Sequence, residues 1–161
     1  MQRTGQTMID KFDRLQIKIY RETDNPMPEY KRNGDAGMDI RSNEDVRVRA
    51  FSWITISTGL YIVVPYGYEG QVRSRSGLAA KHGLCVLNSP GTIDSGYRDE
   101  LKILMINHNH FPYEISKGDR IAQLVIKPVI TAEMIDIDKD EHTAESETEN
   151  RGGGLGSTGV K

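Results

Sequence analysis

Apolar and polar residues alternate at every second position along much of this chain, and glycine or proline interrupts them at short intervals. That pattern narrows the fold more than anything else in the sequence. Leu15, Ile17 and Ile19 alternate with Gln16, Lys18 and Tyr20, and Val46, Val48 and Ala50 with Arg47, Arg49 and Phe51. Ile54 and Ile56 alternate with Thr55 and Ser57, and Ile135 and Ile137 with Asp136 and Asp138. A side-chain period of two with one polar face is what a half-buried antiparallel sheet requires. Turn signals recur at Asn33-Gly34, Thr58-Gly59, Pro65-Tyr66-Gly67, Pro90-Gly91, Phe111-Pro112 and Lys117-Gly118-Asp119. Many short strands joined this way predict an all-β fold, a jelly-roll-like sandwich or barrel. One segment alone reads as helix: Ser76 suits an N-cap, Leu78 to His82 tolerate helix, and Gly83 suits the C′ position. The absence of any repeat of roughly 20–50 residues argues against a propeller or solenoid.

Composition removes other classes. The 161 residues carry 21 Lys+Arg and 23 Asp+Glu, a formal charge of −2 that gives no pull toward nucleic acid or anionic membrane. A chain of this length buries about 70% of its unfolded surface, enough for one core without metal or disulfide support. The single cysteine, Cys85, excludes an internal disulfide framework. The longest apolar run, residues 60–64, falls far short of the roughly 18 needed to span a bilayer, and the polar start lacks a signal-peptide core. The expectation is a cytoplasmic protein in three parts: a flexible lead-in at 1–14, a β-rich domain at 15–138, and an acidic linker with a flexible glycine-rich arm at 139–161.

Five segments carry residue types suited to chemistry. Residues 71–77 (QVRSRSG) feed the short helix, whose N-terminus presents unpaired N–H groups beside Arg75, Ser76 and Gly77; this is either an anion cradle or an ordinary capped turn. Residues 88–98 place Thr92, Ile93 and Asp94 on a hairpin arm between two turns. Asn88 and Tyr97 flank it, so Asp94 is either a turn residue or a base beside a planar ligand. Residues 118–126 form a core strand in which Gln123 is a polar anomaly that needs a buried partner or a ligand. Asp35 and Asp39 stand four apart around a glycine. A lone acidic pair is no cation cage, although Mg²⁺ already held by phosphates needs only one or two carboxylates. The tail from Arg151 combines glycines with Ser157 and Thr158, and it either wraps a phosphate chain or serves as a linker. His108, His110 and His142 lack metal-ligand spacing.

In order, DAGMDI (35–40), RSRSGLAAKHG (73–83), NSPGTIDSGYRDE (88–100), GDRIAQL (118–124) and RGGGLGSTG (151–159) resemble the five motifs of the homotrimeric deoxyuridine triphosphate nucleotidohydrolase (dUTPase) family. The resemblance implies a jelly-roll subunit in a homotrimer, with active sites between subunits and a C-terminal arm closing over each. It implies hydrolysis of dUTP to dUMP and pyrophosphate with Mg²⁺, which limits uracil incorporation into DNA and supplies dUMP for thymidylate synthesis. By the same resemblance Asp94 activates the attacking water, and Tyr97 packs on deoxyribose where a 2′-hydroxyl would sit. Asn88, Thr92 and Ile93 read uracil, with Lys102 on the far arm of the hairpin. Arg75, Ser76, Gly77 and Gln123 contact phosphate, as do Arg151, Ser157 and Thr158 from the tail. Asp39 stands near the water shell of the metal.

Two positions depart from the family pattern. Leu155 occupies the place of a phenylalanine that covers uracil, in a tail motif one residue shorter than usual. Base–aromatic stacking is worth about 1–3 kcal/mol, so weaker closure is expected. Asp99 stands where glycine is common. The alternatives are a dCTP deaminase-like enzyme and a non-catalytic nucleotide-binding β-sandwich. Assaying pyrophosphate and ammonia release separates the three.

Overall fold

A computed structural model of the chain describes residues 15–149, which fall into two compact units divided between Val129 and Ile130. The first unit holds eleven strands and one helix. The strands are β1 (Lys18–Arg21), β2 (Met38–Arg41), β3 (Val46–Val48), β4 (Ser52–Ile56), β5 (Leu60–Val63), β6 (Tyr68–Ser74), β7 (Leu84–Val86), β8 (Gly91–Ile93), β9 (Ile103–Asn107), β10 (Tyr113–Ile115) and β11 (Arg120–Pro128); α1 (Ser76–His82) lies between β6 and β7. All pairings are antiparallel, in sheets ordered β1-β5, β10-β3, β2-β11-β6-β8 and β4-β9-β7. This is the expected jelly-roll-like β architecture.

The alternation dictates which way each strand faces. Ile56, Ile62, Leu84, Ile103, Met105 and Ile121 are fully buried in one apolar core, while Trp53 and Thr55 point outward from β4. Along β11, Ala122 and Leu124 face that core and Gln123 faces the opposite side. The turn glycines behave as the sequence predicts: Gly34, Gly59, Gly67 and Gly118 all take positive φ. At Gly59 the requirement is double, because a Cβ would also lie 2.8 Å from the Glu22 carbonyl oxygen.

Four expectations need correction. The 46–51 alternation is not one strand: β3 ends at Val48, and Phe51 takes φ 50 in the turn into β4. Arg75, not Ser76, is the N-cap of α1 (φ −84, ψ 123), with no side-chain cap; Gly83 ends the helix in the left-handed region as expected. Residues 135–138 form no strand, and Ile135 is 77% exposed; alternation without a neighbouring strand supplies no ladder. The acidic run forms a second helix, α2 (Lys139–Glu149), rather than a structureless linker. Its causes are local. Asp138 Oδ1 accepts from the amides of Asp140 and Glu141 at 2.9 Å, and Asp140 and Glu141 sit in the first turn where the helix dipole favours them. Neither helix among the described residues is long and apolar enough to cross a membrane.

Candidate active site

Three strands place polar groups side by side on the outer face of the four-stranded sheet. Gln123 on β11 lies opposite Asp39 on β2 and opposite Arg73 on β6. Just past β6, Arg75 turns back over this row. Its Nε donates to Asp39 Oδ1 at 3.1 Å and its Nη1 to the Arg120 carbonyl at 2.9 Å. Arg120 Nη1 donates to Asp39 Oδ2 at 3.0 Å, and Gln123 Nε2 approaches Oδ1 at 3.5 Å. Asp39 is largely buried, with its side chain 11% exposed, which pushes its pKa up. The hydrogen bonds and charges of Arg120 and Arg75 outweigh that, so its carboxyl is held below the usual range. The result is a braced pair of guanidiniums lining an open cavity of about 600 Å³. Ser76 and Gly77, in the first turn of α1, are exposed beside Arg75.

The second cluster is the hairpin. Strand β8 pairs with β6 through Gly91–Val72, Thr92–Gln71 and Ile93–Gly70. It is the last strand of its sheet, so its other edge pairs with no strand among the described residues. Its backbone N–H and C=O groups there are free to meet a planar ligand. Before it runs a cis Ser89–Pro90 peptide, and the Asn88 amide packs so close to Gly91 that a Cβ there would lie 3.1 Å from Nδ2. After it, the amide of Tyr97 donates to the Asp94 carbonyl at 3.0 Å, closing a turn. The Asp94 carboxylate is exposed and takes no hydrogen bond or ion pair among the described residues. Tyr97 is half-buried and its hydroxyl donates to the Glu100 carbonyl at 2.7 Å; burial, then the charges of Asp99 and Glu100, raise its pKa.

Glu100 was missed at the sequence level. Its Oε1 accepts from Ser57 Oγ at 2.5 Å, Thr58 N at 3.0 Å and Gly59 N at 2.8 Å, tying the end of the hairpin to the β4–β5 turn. Lys102, expected on the far arm, stands at 3.7 Å from Glu100 Oε2. Arg120 was also missed, although it lies inside the GDRIAQL segment.

Thus the chain brings Arg75, Gln123 and Asp39 together, and separately Asn88, Thr92, Ile93, Asp94 and Tyr97. Strand β6 carries both: its pairing with β8 runs from Ile93–Gly70 to Gly91–Val72, and the Ser74 amide, next to Arg75, donates to Ser89 Oγ at 3.2 Å. Arg151, Leu155, Ser157 and Thr158 lie outside the described residues, as does the 1–14 lead-in.

The dUTPase family model matches residues 23–159, spanning both clusters and the tail. The chain belongs to the dUTPase family. It is 50% identical over 133 residues to the deoxyuridine 5′-triphosphate nucleotidohydrolase of Nautilia profundicola, covering 83% of this chain and 90% of that protein. The Hydrogenobaculum enzyme of the same name is 46% identical over 149 residues, covering 92% of this chain and 99% of its own. Among solved structures, a mutant dUTPase of Staphylococcus bacteriophage 80alpha with dUpNHpp superposes with a TM-score of 0.79 at 30% identity, over 90% of this chain and 99% of that one. A mutant dUTPase from phage phi11 of S. aureus, whose structure describes the coordination of a structural Mg(II) ion, gives 0.72 at 28% identity, over 79% and 99%. Family membership sets aside the deaminase-like and non-catalytic alternatives, and four of the five motif segments contribute residues to the two clusters just described.

Proposed function

We propose that this protein hydrolyses dUTP to dUMP and pyrophosphate, with Asp94 as the base for the attacking water. One observation carries the assignment of roles: an exposed carboxylate without a protein partner sits one residue beyond an edge strand whose backbone is open to a planar base. Asn88 and the backbone of Thr92 and Ile93 read the donor–acceptor edge of uracil. Cytosine presents a donor where uracil presents an acceptor, so fixed backbone groups would be left unpaired against it. A methyl at C5 meets a backbone wall that cannot give way as a side-chain pocket does.

Asp94 takes a proton as the water oxygen bonds to the α-phosphorus. The bond from that phosphorus to the bridging oxygen breaks, and pyrophosphate leaves with the electron pair. Arg75, Ser76, Gly77 and Gln123 hold the phosphate oxygens, and Asp39 acts by fixing the Arg75 and Arg120 guanidiniums. The described residues contain no group of three His, Cys, Asp or Glu side chains able to cage an ion, and both Asp39 oxygens accept guanidinium donors. A resident metal caged by these residues does not fit; Mg²⁺ belongs with the nucleotide, where it neutralises phosphate charge.

The site is shared between copies of the chain. By the resemblance of its five motifs, each site takes its hairpin from one copy and its phosphate cradle from another. A homotrimer supplies that arrangement, with the arm from 139 onward completing the enclosure through Arg151, Ser157, Thr158 and Leu155.

Turnover in ¹⁸O-water tests the assignment. Pyrophosphate should appear from dUTP, with far less from dTTP, UTP or dCTP, and the label should enter dUMP. Label in pyrophosphate, or equal turnover of the four nucleotides, would refute it. Tyr97 has its own check. With its ring removed, Tyr97→Ala should raise the kcat/KM ratio of UTP to dUTP by about ten-fold or more. An unchanged ratio would show that 2′-hydroxyl exclusion lies elsewhere.

A further inference from the structure

We propose that Arg32, with Lys31 beside it, is an additional phosphate-binding group that receives the outer end of the triphosphate and the departing pyrophosphate. The inference rests on the phosphate role assigned above to the Arg75 cluster and extends it to a loop outside the five recognised motifs. The cavity over that cluster is lined by five cations, Lys31, Arg32, Arg73, Arg75 and Arg120, against two carboxylates, Asp35 and Asp39. Most of these charges are already committed. Arg75 and Arg120 clamp Asp39, Arg73 donates through Nε and Nη2 to Gln71 Oε1, and Lys31 pairs with Glu29.

Arg32 differs. Among the described residues its guanidinium has no hydrogen-bond or ion-pair partner. Asp35 forms no ion pair with it: Asp35 Oδ2 accepts from the Arg32 backbone amide at 2.8 Å, and the Asp35 amide donates back to the Arg32 carbonyl at 3.2 Å. That reciprocal pair fixes the backbone of the turn and holds the carboxylate on an amide rather than on the guanidinium. A planar fork of donors is thereby held at the rim of a cavity that already carries excess positive charge. Such an arrangement is self-repelling when empty and favourable once an anion enters. Its place decides which part of the anion it meets. Asp39 and Arg75 lie deep, with side chains 11% and 23% exposed, while Arg32 is on the exposed loop before β2. Arg75, braced by Asp39, meets the phosphates closest to the reaction, and Arg32 the terminal one.

Calorimetry on the full-length protein with the α,β-imido analogue of dUTP and with dUMP tests this. Arg32→Gln should weaken the imido analogue about five-fold and leave dUMP unchanged, with the difference shrinking as salt is raised. Arg32→Lys, which restores charge, should recover most of the loss. Lys31→Gln should weaken the analogue less, because its ammonium is shared with Glu29. Unchanged affinity for the analogue in Arg32→Gln, or equal weakening of dUMP, would overturn the proposal. Arg75→Gln separates the two levels. If it weakens the analogue while Arg32→Gln does not, only the extension to Arg32 falls; if neither does, the phosphate role of the cluster falls with it.

Discussion

Asp94→Asn should lower kcat for dUTP by about 10²–10⁴-fold while leaving affinity for the imido analogue within a few-fold of the original. The split follows from the place of the side chain. Its carboxylate is exposed and bonds nothing among the described residues, so an amide of the same shape disturbs neither the β8 pairing nor the turn closed by the Tyr97 amide. What the substitution removes is a proton acceptor, a function exercised only as the water attacks. An interaction used in the transition state alone appears in kcat rather than in ground-state binding. Thermal unfolding of the variant should match the parent. A variant that turns over at the parental rate would put the base elsewhere, and one that loses affinity in proportion to kcat would make Asp94 a binding residue.

The strands and the hairpin were legible in the sequence because both depend on neighbours close along the chain. Ile54 and Ile56 alternate with polar residues, and they face the core; Gly34, Gly59, Gly67 and Gly118 mark turns, and each takes the backbone conformation that glycine permits. The cradle was only half legible. Arg75, Gln123 and Asp39 each stood out, but their union depends on the β2-β11-β6 register, which joins residues 36 to 84 positions apart that no local pattern encodes. Read alone, Asp39 was a turn residue or one of an acidic pair, and only the family resemblance set it near a metal's water shell. The fold puts Arg75 on one of its oxygens and Arg120 on the other. The helix at 139–149 escaped because it has no apolar stripe to give it a period of 3.6; capping and the first-turn acids set it, and neither appears in a hydrophobicity pattern. Ile135 and Ile137 misled in the opposite sense, since a strand-like pattern is only a capacity for pairing.

Glu100→Ala should lower the stability of the protein by about 2–4 kcal/mol, a fall in Tm of roughly 5–15 °C for a chain of this size. The side chain is 15% exposed and its Oε1 takes three donors: the Ser57 hydroxyl and the amides of Thr58 and Gly59. Removing it leaves those donors facing a gap in a turn that Gly59 has little room to reshape, given the approach of the Glu22 carbonyl. Glu100→Gln keeps one acceptor oxygen and should cost less, about 1–2 kcal/mol, because the charge-assisted part of each bond is lost. The pH dependence has a definite sign. Burial pushes the Glu100 pKa up, but the Ser57 hydroxyl, the Gly59 and Thr58 amides and the Lys102 charge overcome it, so the folded value lies below the ordinary 4.5. The unfolded chain then binds the proton more readily, and the contribution is complete above about pH 4.5 and is lost as pH falls through the folded value. The Tm gap between parent and Glu100→Gln should therefore be widest near neutrality and narrow below pH 4.5. A gap independent of pH would mean that packing rather than charge holds the turn. Because the Tyr97 hydroxyl donates to the Glu100 carbonyl, loosening this anchor also frees the ring to which we assign exclusion of a 2′-hydroxyl. Glu100→Ala should thus shift the UTP to dUTP ratio in the same direction as Tyr97→Ala, by a smaller factor. A destabilised variant with an unaltered ratio would confine Glu100 to the fold.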